Sequence, residues 1–259
     1  MAHFSKNIFL TLIFIFFINA ISFAQKYDRE KFSPSVNLSA GLVNYFGDLN
    51  ADAGISKFNE TRYAYSLNFN YKIKEYLGIS INGLIGQMSY NQSFEKEPLN
   101  FESDIYQFDI RATFHFENDF LIDPEKNVSP YISAGVGYLI FDPHADLKDA
   151  KGREYYYWGD GTIRNLPEAR ENIIDSDILE RDYVYETRLE NPDVNYNRNA
   201  FTFPLSAGIE FKLRENILLN VQTTYFITTT KYLDNISLND KLDKFLYSSL
   251  GLTYRFKPW

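Results

Sequence analysis

Three histidines are the whole complement of this chain, and none has the company that catalysis needs. His144 lies two residues from Asp142 and two from Asp146. A histidine between carboxylates is part of a nucleophilic relay, but the serine whose proton the imidazole would take has no place in this spacing. His3 lies beside an apolar N-terminal run. His115 sits on the polar side of an alternating segment, where a satisfied interior side chain is its expected role. The sequence has no cysteine, so neither a disulfide nor a thiolate metal site is available. Asp48, Asp52, Asp234 and Asp240 are oxygen donors of the kind Ca²⁺ takes. Asp more often serves turns and caps in such stretches. The expectation is therefore no catalytic site, no metal and no cofactor.

A second set of charges occurs where side chains alternate strictly. Asp109 and Arg111 are separated by Ile110, and Glu210 and Lys212 by Phe211. If the apolar members face outward, these charges face inward. Lone charges there would cost several kcal/mol. Asp109, Arg111, Glu210 and Lys212, with His115, are therefore expected to form a paired polar network in an interior.

The elements that must carry these residues are strands. From Tyr63 to Ile73, the residues Tyr63, Tyr65, Leu67, Phe69, Tyr71 and Ile73 fall on one face. Ala64, Ser66, Asn68, Asn70 and Lys72 fall on the other, because side chains alternate across a strand with period two. Tyr106–Phe116 repeats the pattern, with His115 on the polar face. Six further segments read likewise: Val36–Phe46, Leu77–Tyr90, Pro130–Phe141, Ala200–Leu213, Ile217–Thr230 and Lys244–Phe256.

The connections alternate between short (Lys74–Tyr76, Asn118–Asn127, Arg214–Asn216) and long (Gly47–Arg62, Asn91–Ser103, Asp142–Asn199, Lys231–Asp243). Long alternating strands joined in this way are the signature of an outer-membrane barrel with short periplasmic turns. A soluble lipocalin-like barrel is the competing reading. It would point the large apolar set inward, and an eight-stranded interior is too narrow for that set. The small and polar set, with Ser133, Gly135, Gly137, Ser206 and Gly208, fits. The expected fold is all-β: an eight-stranded antiparallel up-and-down transmembrane barrel, filled rather than porous.

Composition agrees. The 20 Tyr and 23 Phe suit interfacial aromatic girdles, and a net charge of −8 offers no basic footprint for nucleic acid. Residues 1–24 read as a secretory signal, with an apolar run from Ile8 to Phe23 and small residues at Ser22 and Ala24. Residues 25–259 then form the barrel, and outer-membrane lipid is its first partner.

The connection 142–199 is too long for an ordinary loop. It carries Tyr155, Tyr156, Tyr157 and Trp158, then an acidic stretch in which Ile173, Ile174, Ile178 and Leu179 recur at helical spacing. Two readings stand side by side. The aromatic run caps the barrel mouth, or it forms a docking surface for a partner.

Several short motifs also carry a family likeness. Asn44–Asn50 (Asn-Tyr-Phe-Gly-Asp-Leu-Asn), with Gly47 and Asp48, resembles the Tyr-x-Gly-Asp-Leu/Ile motif of the PorG family. Phe203–Phe211 resembles that family's sixth strand. Thr230–Ser237, with Tyr232 and Asp234, is similar to its Asp-Tyr-Leu-Asp-Asp-Val-Ser stretch, although Lys231 and Asn235 stand where acidic residues would be expected. Tyr155–Arg164 and Arg181–Leu189 are similar to the long loop of some members. The resemblance implies a small outer-membrane barrel of bacteria with type IX secretion, associated with the periplasmic ring lipoproteins of that system. It implies a non-catalytic component that anchors periplasmic machinery. A structural or adhesive surface barrel with no secretion role is the alternative.

Overall fold

The computed structural model describes residues 34–47, 61–74, 76–91, 100–116, 127–191, 194–237 and 241–256. Eight strands close a barrel: β1 (Ser35–Phe46), β2 (Arg62–Lys72), β3 (Leu77–Asn91), β4 (Asn100–His115), β5 (Val128–Ala145), β10 (Asn199–Arg214), β11 (Ile217–Thr228) and β12 (Lys244–Arg255). All neighbours are antiparallel. The last strand returns to the first, with β12 paired to β1 along its whole length from Ser35↔Arg255 to Phe46↔Lys244. The β5–β10 ladder skips Phe203 and Pro204, as expected where a proline cannot donate an N–H.

Alternation sets the two faces as the sequence requires. Tyr63, Tyr65, Leu67, Phe69 and Tyr71 are exposed on the outer wall, while Ala64, Ser66 and Asn68 are buried inside. A soluble barrel would show the reverse. Toward the long-loop end, however, the pattern changes sign. On β4 Phe101 and Ile105 are buried with Asn100 and Ser103, while Asp104 is exposed; lower on the same strand Gln107, Asp109, Arg111 and Thr113 are buried, while Tyr106, Phe108 and Ile110 are exposed. Leu84 and Met88 of β3, Leu139 and Phe141 of β5, Phe226 of β11, and Phe245 and Tyr247 of β12 also turn inward at that end. The lower barrel is apolar outside and polar inside, and the upper barrel is apolar inside.

This change of sign explains where the element boundaries differ from expectation. β4 begins at Asn100 rather than Tyr106, and β5 runs to Ala145 rather than Phe141. Both extensions lie above the level at which apolar residues face outward, so they lack the pattern that marks a membrane strand.

The long connection is built, not open coil. It contains a small antiparallel sheet of β6 (Tyr156–Tyr157), β7 (Ile163–Arg164) and β8 (Ile178–Leu179), and a short helix α1 (Asn172–Asp175). A further strand, β9 (Thr187–Arg188), extends the barrel sheet by pairing with β5 at His144 and Ala145. The helical reading of Ile173 to Leu179 holds only for its first turn. Ile178 and Leu179 pair with Arg164 and Ile163 in the small sheet instead. Residues 1–24, and all of the 118–127 turn except Asn127, lie outside the described residues.

Candidate functional site

Two side chains two residues apart on one strand share a face, so Asp109 and Arg111 of β4 meet in the lumen. Arg111 grips Asp109 with both ends of its fork, Nε to Oδ1 at 2.6 Å and Nη2 to Oδ2 at 2.8 Å. Its Nη1 crosses the lumen and donates to Ser206 Oγ of β10 at 2.7 Å and Thr224 Oγ1 of β11 at 3.2 Å. Asn82 of β3 donates to Asp109 at 2.7 Å. Bidentate geometry with further hydrogen bonds to both partners is the condition under which a buried ion pair is tolerated.

Glu210 is also buried, and its partners are Arg255 Nη2 at 3.1 Å and Thr253 Oγ1 at 3.4 Å. Lys212 does not join this network. It lies exposed near the end of β10, and Arg255 of β12 is the cation beside Glu210. Register decides this outcome: β12 brings Arg255 to the level of Glu210, whereas Lys212 is two residues nearer the water. His115 lies with its ring 6.0 Å from that of Tyr131, whose hydroxyl donates to Gln222 at 2.7 Å and accepts from Asn220 at 2.8 Å.

Below the Arg111–Asp109 pair the lumen holds a polar cavity of about 300 Å³, lined among others by Asn37, Asn68, Asn82, His115, Glu210 and Asn220. It lies toward the short connections. Above the pair the lumen is filled. Phe226 and Phe245 stack at 4.4 Å, Tyr45 meets Phe101 edge-on at 5.0 Å, and Leu84, Met88, Ile105 and Leu139 complete the packing. The barrel is a blind cup, not a channel.

The rim motif is brought together at the mouth. The Tyr45 hydroxyl bonds Asp234 Oδ2 at 2.8 Å and Asp243 Oδ1 at 3.1 Å. Asp243 in turn accepts from the Leu233 N–H at 2.9 Å, and Asp234 from the Ile236 N–H at 3.0 Å. Gly47 is where the chain has no room for a side chain, since a Cβ there would overlap the Tyr45 phenol and the Asp243 carboxylate. Tyr232 stacks on Tyr196 at 4.8 Å, and Tyr196 continues the stack onto Phe141 of β5. Asp48 lies outside the described residues. Sequence reading had Tyr45 only as part of the first motif and missed Asp243 and Tyr196. The available signal was that Asp243 immediately precedes a strand and that Tyr45 sits two residues before the glycine.

The four aromatic residues of the long loop pack within the loop itself and not in the barrel mouth. Trp158 is buried beneath the Arg164 guanidinium, 4.2 Å from its ring, and its Nε1 donates to the Leu166 carbonyl at 2.9 Å. Tyr155 is buried and accepts from the Asp182 N–H at 3.2 Å. Tyr156 donates to Glu154 at 2.7 Å. Tyr157 stands across the small sheet from Ile163, with its hydroxyl buried. The tight sheet gives these rings local partners, so the mouth is closed by Tyr196, Tyr232 and Leu233 instead.

The carboxylates around His144 are held by arginines. Asp142 pairs with Arg188 and Arg198, and Asp146 with Arg181. The Asp146 carboxyl, desolvated by burial, stays above its ordinary pKa despite Arg181. Among the described residues no three His, Cys, Asp or Glu side chains converge as metal ligands.

Solved structures to which the chain is similar include the Neisserial surface protein A (TM-score 0.49, 12% identity, 88% of this chain and 100% of that one). The outer membrane protein OprG of Pseudomonas aeruginosa is another (TM-score 0.44, 10% identity, 89% and 99%). A third is Ail, the attachment invasion locus protein of Yersinia pestis (TM-score 0.42, 14% identity, 87% and 99%). No curated protein matches the chain. The outer membrane protein beta-barrel domain matches residues 10–256. With that match across almost the whole chain, and a wall that is apolar outside and polar inside, the chain belongs to the outer-membrane protein β-barrel domain family and resides in the outer membrane.

Proposed function

We propose that this barrel is a non-catalytic component of the type IX protein secretion system that couples periplasmic machinery to the outer membrane. The observation that carries the reading is the rim. Two of the short motifs that resemble the PorG family lie far apart in sequence, yet Tyr45 from one bonds Asp234 from the other at the mouth. The blind lumen adds that such a protein acts through its surfaces, since nothing of useful size passes the Phe226–Phe245 and Tyr45–Phe101 packing. On this reading its partners are outer-membrane lipid and the periplasmic ring lipoproteins. The contacts come from the periplasmic turn 118–127 and from residues 25–33, both rich in charged and polar side chains.

One observation favours the alternative of a structural or adhesive surface barrel. The long loop exposes Ile173, Ile174 and Ile178, and exposed apolar side chains suit contact with a partner. Deletion of the gene, with cargo assayed in the medium, separates the two. Cargo retained in the periplasm, together with a ring lipoprotein co-purifying with the barrel, is the expected result. Normal secretion with no periplasmic protein co-purifying rejects the secretion role.

A further inference from the structure

The cup below the Arg111–Asp109 pair encloses about 300 Å³, and seven of its described lining side chains are Asn or Gln. Two runs of side-chain hydrogen bonds fix its wall. In one, Asn68 Nδ2 donates to Asn37 Oδ1 at 2.9 Å, Asn37 Nδ2 to Thr253 Oγ1 at 3.0 Å, and Thr253 Oγ1 to Glu210 Oε1 at 3.4 Å. In the other, Asn220 Nδ2 donates to the Tyr131 hydroxyl at 2.8 Å, which donates to Gln222 Oε1 at 2.7 Å. Gln222 Nε2 then donates to Thr224 Oγ1 at 2.7 Å. Side chains that hold one another in place are already ordered, so a ligand loses little affinity in organising them.

The charges of the cup are matched within it. Asp109 holds Arg111 through both ends of its fork, and Glu210 holds Arg255 at 3.1 Å. Lys72 and Glu215, farther out, add one charge of each sign. An ionic ligand would therefore have to break a pair before gaining one. Amides and hydroxyls both donate and accept, and a molecule whose own groups do both is their complement. One stretch of wall is aromatic, where the His115 and Tyr131 rings stand 6.0 Å apart. The volume lies at the lower end of ligand pockets, about 300–1,000 Å³, and suits a single ring. Lys72, Asn216 and Phe256, at or beside the short connections, line the outer end. Short connections are periplasmic, and the Phe226–Phe245 stack closes the other side.

We propose that this cup is a periplasm-facing binding site for a neutral polyhydroxylated ring, a sugar unit that is either free or the end of a glycan chain. The fixed amides exchange hydrogen bonds with its hydroxyls, and the Tyr131 ring takes its C–H face. The Arg111–Asp109 and Arg255–Glu210 pairs remain intact on binding, so affinity is nearly independent of salt. This inference does not depend on the secretion role.

The test is an NMR titration of the full-length barrel in nanodiscs. The probes are glucose, N-acetylglucosamine, its β-1,4-linked tetramer, N-acetylglycinamide and inorganic phosphate. Each is taken to about 20 mM, where a site with a Kd of about 1 mM is saturated. At least one sugar should bind, and raising the salt from about 0.05 to about 0.3 M should change its Kd by less than about twofold. Binding of the tetramer as tightly as the monomer assigns a chain end, and binding of the monomer alone assigns a free sugar. Asn220→Leu keeps the volume but removes the amide, and should weaken binding about tenfold. Ser133→Phe places a ring in the cup and should abolish it. Met88→Ala, above the ion pair, should leave the Kd within about twofold. Heat-modifiable gel mobility confirms that each barrel is folded, and Gln222→Leu replaces Asn220→Leu if the latter does not fold. No sugar binding, or phosphate or N-acetylglycinamide binding as tightly as the best sugar, overturns the proposal. So does an equal loss in Met88→Ala and Asn220→Leu.

Discussion

The lower and upper halves of this barrel obey opposite rules. In the lower half Tyr65, Phe69, Phe108 and Ile110 face lipid, while Asn68, Asn82, Asp109 and Arg111 face the lumen. In the upper half Met88, Phe101, Ile105 and Phe245 face the lumen. The same eight strands pass through both. What changes is the solvent outside: hydrocarbon below, water above. Each half puts on its outer wall what its surroundings accept, and the lumen takes the remainder. The change on the outer face from Asp104 to Tyr106 therefore marks the waterline on β4.

The sharpest way to break this comparison is to give the lower lumen upper-lumen chemistry. Arg111→Met leaves Asp109 buried without its cation, and should cost about 3–5 kcal/mol in urea unfolding of the barrel in bilayers. The double variant with Asp109→Asn should recover most of that loss. If Arg111→Met alone is neutral, the lower lumen is wetter than its packing implies.

The converse change is Met88→Ala in the upper half. It removes a fully buried side chain from a dry lumen and should cost about 2–5 kcal/mol by the same measurement. A negligible cost would mean that water already penetrates the plug.

Gly47→Ala tests the lid rather than the plug. The added methyl overlaps the Tyr45 phenol and the Asp243 carboxylate, and should cost about 1–3 kcal/mol as the rim shifts. Tyr45→Phe in the same chain should lessen that cost, because it removes the hydroxyl that the methyl meets.

The smallest effect lies above both halves, in the turn that leads from β6 to β7. Hydrogen bonds from the Thr162 hydroxyl and N–H hold the Asp160 carboxyl below its ordinary pKa. A carboxyl depressed in the folded state contributes stability that is present above its unfolded pKa. That contribution is lost as the pH falls through the folded value. Trp158 emission in a Trp259→Phe background, titrated from about pH 6 to about pH 2, should report loosening at the acid end. Thr162→Val should move that transition to higher pH, and an unchanged midpoint would remove Asp160 from the account. The barrel's own unfolding should not follow this titration.

Much of this was legible in the sequence, and what was not has the waterline as its common cause. Strands whose apolar residues face lipid read directly: Tyr63–Ile73 was placed within one residue at each end of the observed Arg62–Lys72. Asn100–Ile105 escaped because Phe101 and Ile105 point inward there, so the alternation that marks a membrane strand is reversed. The Asp109–Arg111 pairing followed from spacing on one strand. The substitution of Arg255 for Lys212 did not, since it depends on how far β12 slides along β11, a register that no single strand encodes. The loop rings read as a cap over the mouth or a docking surface, and the partners of Trp158, Arg164 and the Leu166 carbonyl, escaped because they come from a tight sheet of two-residue strands too short to leave a periodic trace.

The seam between β1 and β12 has a consequence for how such a molecule comes into being. The first strand finds its second neighbour only when the last has been synthesised, because Ser35 pairs with Arg255 and Phe46 with Lys244. Until then the growing sheet carries two unpaired edges, each a template for joining another chain. Nor can an open sheet rest in hydrocarbon, where unmet N–H and C=O groups cost several kcal/mol apiece. A polypeptide cut short before residue 244 would thus have no partial membrane form to occupy. Chaperones that shield edges, and a machine that releases the product only after closure, are requirements written into the pairing order. Loss of a dozen C-terminal residues should accordingly yield degraded or aggregated chain rather than a smaller barrel.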